Sequence, residues 1–215
     1  MKISNQDKQK VIEVYNQALQ KYGISSRSVL WNDPQTQYFR FSELIKYIDL
    51  NDPKKSLVDI GCGNCELYKF LNFIGFRGIY TGCDINEKLL NQAKTRFRNI
   101  NVKCIDILND DISDQYNYVV MSGLFNTNVG QSIAWTHSFI KKMFGLCLDS
   151  TSFNAISTFV NYKQDESFYL DPLSTVDYCI KKLSPRVTLC HHNLPYNYTI
   201  TIFKYHQWVT DNDNK

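Results

Sequence analysis

The sequence lacks any apolar run of the roughly 20 residues that a membrane-spanning helix needs. It also lacks a strong charge of either sign: with 24 Lys and Arg against 21 Asp and Glu, the net charge of +3 is too mild for a nucleic-acid-binding surface. Internal repeats and low-complexity segments are missing as well. The 215 residues, 43% of them hydrophobic, suffice for one buried core. We therefore predict a single domain over 1–215, with a helical segment (1–52), a sheet core (53–207) and a polar tail (208–215).

A secretory signal is also missing, so the seven cysteines are expected to be reduced thiols in the cytoplasm. Cys62 and Cys65 form a C-x-x-C pair, which thioredoxin-like proteins place at a strand-to-helix junction. The chain is longer than such a domain and no Trp precedes the pair, so a redox protein is the least favoured alternative. No second C-x-x-C is present and His191-His192 stands alone, so we expect no metal site.

The most informative stretch that is present covers 56–66 and reads S-L-V-D-I-G-C-G-N-C-E. A short apolar strand runs into Gly61 and Gly63, which lack a Cβ and leave room for a ligand against the main chain. Apolar residues at helical spacing follow, so the turn opens a helix whose first N–H groups point at the same place. The G-x-G-x-x-G pattern is incomplete, because Glu66 replaces its third glycine. Strand, glycine turn and helix still predict the nucleotide-type crevice of a parallel sheet.

Polar residues end three further predicted strands. Residues 78–84 end in Asp84, which follows the glycine turn by about the 20 residues at which an acid binds a ribose diol. The two later strands lead to Asp106 and to Ser122-Gly123. Because ligands bind at the carboxyl ends of parallel strands, we expect these groups to share one crevice.

Apolar periodicity places helices between these strands and at both ends of the chain. The predicted helices cover 5–21, 36–50, 64–75, 86–98, 131–147 and 172–183. Late strands are predicted at 152–160, 186–191 and 197–206, the last two forming an antiparallel hairpin. The alternation predicts an α/β fold with a doubly wound, mostly parallel sheet. An N-terminal helical cap packs on the body or over the cleft.

Four blocks occur in an order and spacing that resemble the class I S-adenosylmethionine-dependent methyltransferases. They are V-D-I-G-C-G (58–63), G-C-D-I-N (82–86), C-I-D-I-L (104–108) and Y-V-V-M-S-G-L-F-N (118–126). Further marks resemble a group of small bacterial methyltransferases: Trp31, Gln37, Arg40, Phe41, 152–162, 169–172 and His191. The resemblance implies a Rossmann-like sheet of seven strands whose last strand is antiparallel, and S-adenosyl-L-methionine as the cofactor.

The resemblance also implies roles in binding the nucleoside half of the cofactor. Asp84 would accept both ribose hydroxyls. Asp106 would accept from the adenine amine, with Ile85 and Ile107 on either side of the ring. The alternative for Asp106, and also for Asp59, is a strand-end acid that caps local N–H groups.

The methionine half of the cofactor is assigned in the same way. Asp59 and the turn formed by Gly61, Cys62 and Gly63 would hold the amino acid head, with Asp59 bound to the ammonium or to a water. Ser122 and Gly123 would lie beside the sulfonium. The guanidinium of Arg40 suits a carboxylate of the cofactor or the substrate, and an ion pair on a helix surface is its alternative.

Catalytic candidates are His191, Tyr169 and Asn126. A hydroxyl acceptor needs a general base, whereas an amine needs only to be neutral, and His191 at the end of a late strand is placed best. A histidine beside a strand is more often a hydrogen-bonded structural residue. Asn126 follows the fourth strand where DNA- and protein-amine methyltransferases carry an Asn- or Asp-Pro-Pro-Tyr block, and the absence of that block argues against a base's exocyclic amine.

Candidates for the substrate pocket are Trp31, Asn154, Tyr162 and Tyr196. Asn154 interrupts an apolar run and must find partners, either backbone or ligand. We expect a methyltransferase acting on oxygen or nitrogen of a small molecule such as a sugar or amino sugar, with neither membrane nor nucleic acid as partner. A protein or RNA methyltransferase and a silent cofactor-binding partner subunit are the alternatives, and the oligomeric state stays open.

Overall fold

The computed structural model describes residues 4–23, 25–29, 33–128, 131–192 and 194–204. Two parts of the prediction, Trp31 and the tail at 208–215, lie outside the described residues. The helices are α1 (Asn5–Tyr22), α2 (Pro34–Leu44), α3 (Glu66–Phe73), α4 (Glu87–Arg96), α5 (Ile133–Leu146) and α6 (Pro172–Lys182). None of the described helices is long and apolar enough to span a bilayer.

The strands are β1 (Ser56–Ile60), β2 (Ile79–Asp84), β3 (Val102–Cys104), β4 (Tyr116–Met121), β5 (Cys147–Ser157), β6 (Tyr169–Leu170), β7 (Val187–Cys190) and β8 (Asn197–Phe203). They form one sheet in the order β3-β2-β1-β4-β5-β8-β7, and β6 pairs with β5 beside this path. β1 to β5 are parallel, whereas β8 is antiparallel to β5 and to β7. The predicted fold is confirmed, and the two-residue β6 adds an eighth strand.

The strand order reverses between β1 and β4, the two central strands. In an open α/β sheet, such a switch point opens a crevice outside the carboxyl ends of the strands. The glycine turn follows β1 and Ser122-Gly123 follows β4. The topology alone therefore brings these two segments to the mouth of one crevice.

Both faces of the sheet are covered. Along β4, Val119 and Met121 belong to the hydrophobic cluster that includes α5, whereas Tyr118 and Val120 belong to the cluster that includes α2, α3 and α4. A strand that is buried on both faces needs an unbroken apolar run. The segment Y-V-V-M supplies that run, which is why β4 can occupy the centre of the sheet.

Two of the predicted elements, α2 and β5, have different bounds in the structure. α2 begins at Pro34 because the carboxylate of Asp33 accepts hydrogen bonds from the next two free amides, and it ends at Leu44 instead of 50. β5 begins at Cys147 instead of 152, because the polar side chains near its start find hydrogen-bond partners within the sheet. The hydroxyl of Thr151, for example, donates to the carbonyl of Val119 at 2.9 Å.

Candidate active site

The glycine turn after β1 is fixed onto the end of β2. The amides of Gly61 and Cys62 both donate to the carbonyl of Cys83, at 2.7 and 3.0 Å. Gly61 and Gly63 have φ of 70° and 53°. A Cβ on either glycine would lie 2.9 Å from a neighbouring side chain. The turn therefore requires glycine at both positions, for its backbone conformation and for space.

Asp84 is held in one orientation by the same turn. Its Oδ2 accepts from the amide of Gly63 and its Oδ1 from the amide of Asn86, both at 2.8 Å. Burial raises the pKa of Asp84, and these amide bonds oppose that shift. Since a carboxylate has about four acceptor positions, capacity for two further donors is left. The geometry suits a ribose diol.

Asp59 lies beside Asp84 and is almost completely buried, with 3% of its surface exposed. Its Oδ2 accepts a hydrogen bond from the hydroxyl of Tyr80 at 2.9 Å. Burial raises the pKa of Asp59 to about 7. A nearby ammonium would favour the ionised carboxylate, so this residue is suited to the amino group of the cofactor.

A small cavity of about 100 Å³ lies at the ends of β2 and β3, and Ile85, Asp106 and Ile107 are in its wall. The carboxylate of Asp106 accepts from Lys8 Nζ at 2.9 Å and from Asn109 Nδ2 at 2.6 Å. Burial acts to raise the pKa of Asp106, but these bonds and a backbone amide hold it below its ordinary value. Two isoleucines beside an acceptor suit a flat ring that carries an amine.

A large cavity of about 670 Å³ adjoins the small one, and the two share Asp84 and Ile85 in their walls. Residues 126–128 and 166–167 form another part of its wall. These two segments are joined by backbone hydrogen bonds, from the amide of Asn128 to the carbonyl of Glu166 at 2.8 Å and from the amide of Phe168 to the carbonyl of Asn126 at 3.0 Å. The crevice thus continues beyond the residues assigned to the cofactor.

The first helix covers the crevice. Val11 and Tyr15 of α1 lie in the walls of both cavities. The side chain of Asn86 holds α1 in place by donating to the carbonyl of Ile12 at 3.4 Å and to Asn16 Oδ1 at 3.1 Å. Sequence reasoning found the apolar stripe of this helix but left its position open, and the structure places it over the cleft.

Arg40 brings one positive charge to the large cavity, in the part of its wall formed by α2. Its guanidinium donates to Asn197 Oδ1. Burial lowers the pKa of Arg40 to about 9, so the group is still a cation at neutral pH. Pairing with a carboxylate stays a prediction, whereas the alternative of a surface ion pair does not fit a residue that is 7% exposed.

For Asn154, the structure favours the alternative of a backbone partner over a ligand. Its Oδ1 accepts from the amide of Gly123 at 3.1 Å and its Nδ2 donates to the hydroxyl of Ser122 at 3.1 Å. The residue is 1% exposed and is not part of either cavity wall. These contacts argue against a substrate contact. Instead, Asn154 holds the Ser122-Gly123 backbone, which lies in the wall of the large cavity.

Four other candidates lie outside both cavity walls: His191, Tyr169, Tyr162 and Tyr196. The ring of His191 packs beside Phe159 and Tyr198. The hydroxyl of Tyr169 accepts from the amide of Gln164, and that of Tyr196 accepts from the side chain of Asn161. Tyr162 is 67% exposed. Their contacts are those of structural or surface residues, and this placement does not support catalytic or substrate roles.

By contrast, every residue predicted for the cofactor lies in one of the two walls, and so does Asn126. Sequence reasoning missed several wall residues. They are Lys8, Asn64, Thr127, Asn128, Trp135, Phe139, Glu166 and Ser167. Asn64 lies within the glycine-rich stretch, and Trp135 and Phe139 share the apolar spacing of α5. No motif marks the others, because they reach the crevice only through the packing of distant segments.

The C-x-x-C pair is poorly suited to redox chemistry. Cys62 and Cys65 are free and buried. Burial raises the pKa of the Cys62 thiol well above its ordinary value. Because the thiolate is the reactive form and redox pairs have lowered thiol pKa values, the geometry opposes the redox alternative.

Comparison with known proteins gives a concordant result. A family model of a methyltransferase domain matches residues 57–144. The structure of magnesium protoporphyrin IX methyltransferase (ChlM) from Synechocystis PCC 6803, with bound S-adenosylmethionine, has a TM-score of 0.67 at 14% identity and covers 95% of this chain and 100% of that one. The DhpI-SAM-HEP complex has a TM-score of 0.68 at 8% identity, covering 93% and 99%. At these identities the structural likeness shows the fold.

The fold, the methyltransferase-domain match and the two cavities together define the class of protein. The chain is an S-adenosylmethionine-dependent methyltransferase with a Rossmann-like fold, and S-adenosylmethionine is its cofactor. Among individual proteins, it is similar to a candidate methyltransferase of Mycobacterium tuberculosis, Rv1506c. The identity is 26% over 166 residues, which cover 74% of this chain and 99% of that protein.

Proposed function

We propose that the enzyme methylates an oxygen or nitrogen of a small molecule, such as a sugar, an amino sugar or another metabolite. The charge of the large cavity supports this proposal. Among the described residues of its wall, Arg40 is the one cation, and the acids are Asp33, Asp59, Glu66, Asp84 and Glu166. The phosphates of a nucleic acid need Lys and Arg as counter-ions. This wall instead favours a neutral or cationic acceptor.

The size and closure of the crevice also favour a small acceptor. A cavity of about 670 Å³ is within the usual range for small-molecule sites. The lid formed by α1 suits a ligand that is enclosed. ChlM, the structural neighbour, is named for magnesium protoporphyrin IX, itself a small molecule.

Methyl transfer is an in-line displacement, in which the acceptor lone pair bonds to the cofactor methyl and the thioether leaves. Alignment of the two partners can supply most of the rate. In this chain, Asp84 would bind the ribose and Asp59 the ammonium. The backbone of Ser122-Gly123, held by Asn154, would fix the region next to the sulfonium. The acceptor would lie against the wall that residues 126–128 and Glu166 form together.

Nitrogen is favoured over oxygen as the accepting atom. A hydroxyl needs a base to remove its proton, whereas an amine attacks once it is neutral. None of the three described histidines, at positions 137, 191 and 192, lies in the described cavity walls. An amine acceptor would therefore react here without a histidine as general base.

The test is a methyl-transfer assay with S-adenosylmethionine and separate pools of small amines, hydroxylated sugars, peptides and RNA. We expect release of S-adenosylhomocysteine and a mass increase of one methyl group in the small-amine pool. An Asp84→Asn variant serves as the control for cofactor dependence. Methylation confined to RNA or peptides would overturn the proposal. Cofactor binding without product from any pool would indicate a silent partner subunit.

We also propose a cytoplasmic location. All seven cysteines are free thiols, which fits a reducing compartment. Cell fractionation with detection of the intact protein tests this, and recovery in a secreted fraction would contradict it.

A further inference from the structure

Three side chains with metal-binding atoms meet on the side of the sheet formed by β7. They are Glu43 near the end of α2, Cys190 at the end of β7 and His192 two residues later. Their carboxylate, sulfur and ring-nitrogen atoms all lie within 4.8 Å of one another. The sequence shows only an isolated pair of histidines here, because the carboxylate arrives from a distant helix.

The combination of donors is typical of a transition-metal site. A thiolate, an imidazole and a carboxylate are the three ligand types of protein-bound zinc, with bond lengths of about 2.0–2.3 Å. Around a tetrahedral ion, such bonds put donor atoms roughly 3.3–3.8 Å apart. The three atoms, at most 4.8 Å apart, would have to move closer together by about 1 Å to reach these separations. We propose that Glu43, Cys190 and His192 bind one Zn²⁺, with a water molecule as the fourth ligand.

The electrostatics of the cluster favour a cation. Glu43 has a side chain only 12% exposed, and Cys190 is partly buried. A thiolate from Cys190 and the carboxylate of Glu43 would together balance the two positive charges of the ion.

Lys46 is the competing cation. Its Nζ lies 3.5 Å from Glu43 Oε2, and its side chain is 46% exposed. A partly exposed pair of this kind contributes little, so the ammonium can move into solvent when zinc arrives. Removal of the Lys46 charge should strengthen zinc binding about two- to fivefold.

A bound ion would connect α2 to the end of β7. α2 also carries Gln37, Arg40 and Phe41 in the wall of the large cavity. A bound ion would therefore restrict the movement of one wall of the large cavity. None of the three proposed ligands itself lies in either cavity wall. The zinc site does not depend on the identity of the methyl acceptor.

The test uses untagged protein freed of metal by chelation. Zinc is titrated in competition with a chromophoric chelator, and stoichiometry is measured by elemental analysis after gel filtration. We expect one ion per chain and, with Co²⁺ as a probe, a thiolate-to-cobalt charge-transfer band. Cys190→Ser should abolish the band, and each of Cys190→Ser, His192→Gln and Glu43→Gln should weaken zinc binding by at least about tenfold.

The matched control is Cys104→Ser, which removes an exposed thiol on β3 and should leave zinc affinity and the cobalt band unchanged. Thermal unfolding without metal shows whether each variant is folded. Zinc affinity that is the same in Cys190→Ser as in the control would overturn the proposal. A wild-type protein that emerges from gel filtration without zinc, after incubation with one equivalent, would overturn it as well.

Discussion

Asp59→Asn should change how stability depends on pH, because this buried carboxyl has a pKa of about 7 in the folded protein. In the unfolded chain the pKa returns to its ordinary value of 3.8. The folded state therefore holds the proton more tightly. This contribution to stability is complete below pH 4 and is lost as the pH rises through 7. The amide introduced by the substitution would not titrate and could still accept the hydrogen bond from Tyr80.

The magnitude follows from the two pKa values. Between pH 5 and pH 8, linkage predicts that the free energy of unfolding of wild type falls by about 2.5 kcal/mol relative to Asp59→Asn. For a chain of this size, this difference corresponds to about 5–10 °C in Tm. The contributions of the other titrating groups to the free energy of unfolding cancel when the two proteins are compared at each pH.

The assay is urea unfolding of both proteins at half-unit pH steps from 5 to 8. Asp177→Asn, at an exposed pair with Lys181 on α6, is the control and should run parallel to wild type. Tyr80→Phe removes the hydrogen bond that stabilises the ionised carboxylate, so its transition should move to higher pH. Parallel curves for wild type and Asp59→Asn would refute the buried, proton-holding role of this residue.

Three further predictions concern the site. Asp84→Asn should weaken S-adenosylhomocysteine binding about 10- to 100-fold by calorimetry, because it alters acceptors for the ribose diol; unchanged affinity would remove the ribose assignment. Asn154→Ala should lower the free energy of unfolding by about 2 kcal/mol, since it leaves the buried Gly123 amide without its partner, and chemical denaturation measures this. In native protein, a maleimide should label exposed Cys104 before buried Cys62; peptide mapping that finds Cys62 labelled first would contradict the pKa argument.

The cofactor half of the site could be predicted from the sequence because its determinants are local. Gly61, Gly63 and Asp84 follow strands whose apolar runs are unmistakable, and parallel strands bring their carboxyl ends to one edge. No knowledge of long-range packing is needed to place these groups together. The same holds for the parallel direction of β1 to β5, which follows from alternating strands and helices.

The acceptor half could not be predicted in this way. His191 and Tyr196 occur in suggestive motifs, but whether a side chain points into the crevice depends on how β5, β7 and β8 pack, and these two residues lie outside its walls. Glu166 and Asn128 reach the crevice because two loops pair with each other. Such pairing has no signature in a single sequence.

Asn86 makes three separate contacts, and these affect how any substitution at this position is interpreted. Its backbone amide orients Asp84, its side-chain oxygen caps α4, and its side-chain nitrogen secures the lid helix. A substitution here would perturb nucleoside recognition, helix initiation and enclosure of the ligand simultaneously. A loss of activity at this position therefore has three inseparable origins and cannot be credited to any one of them.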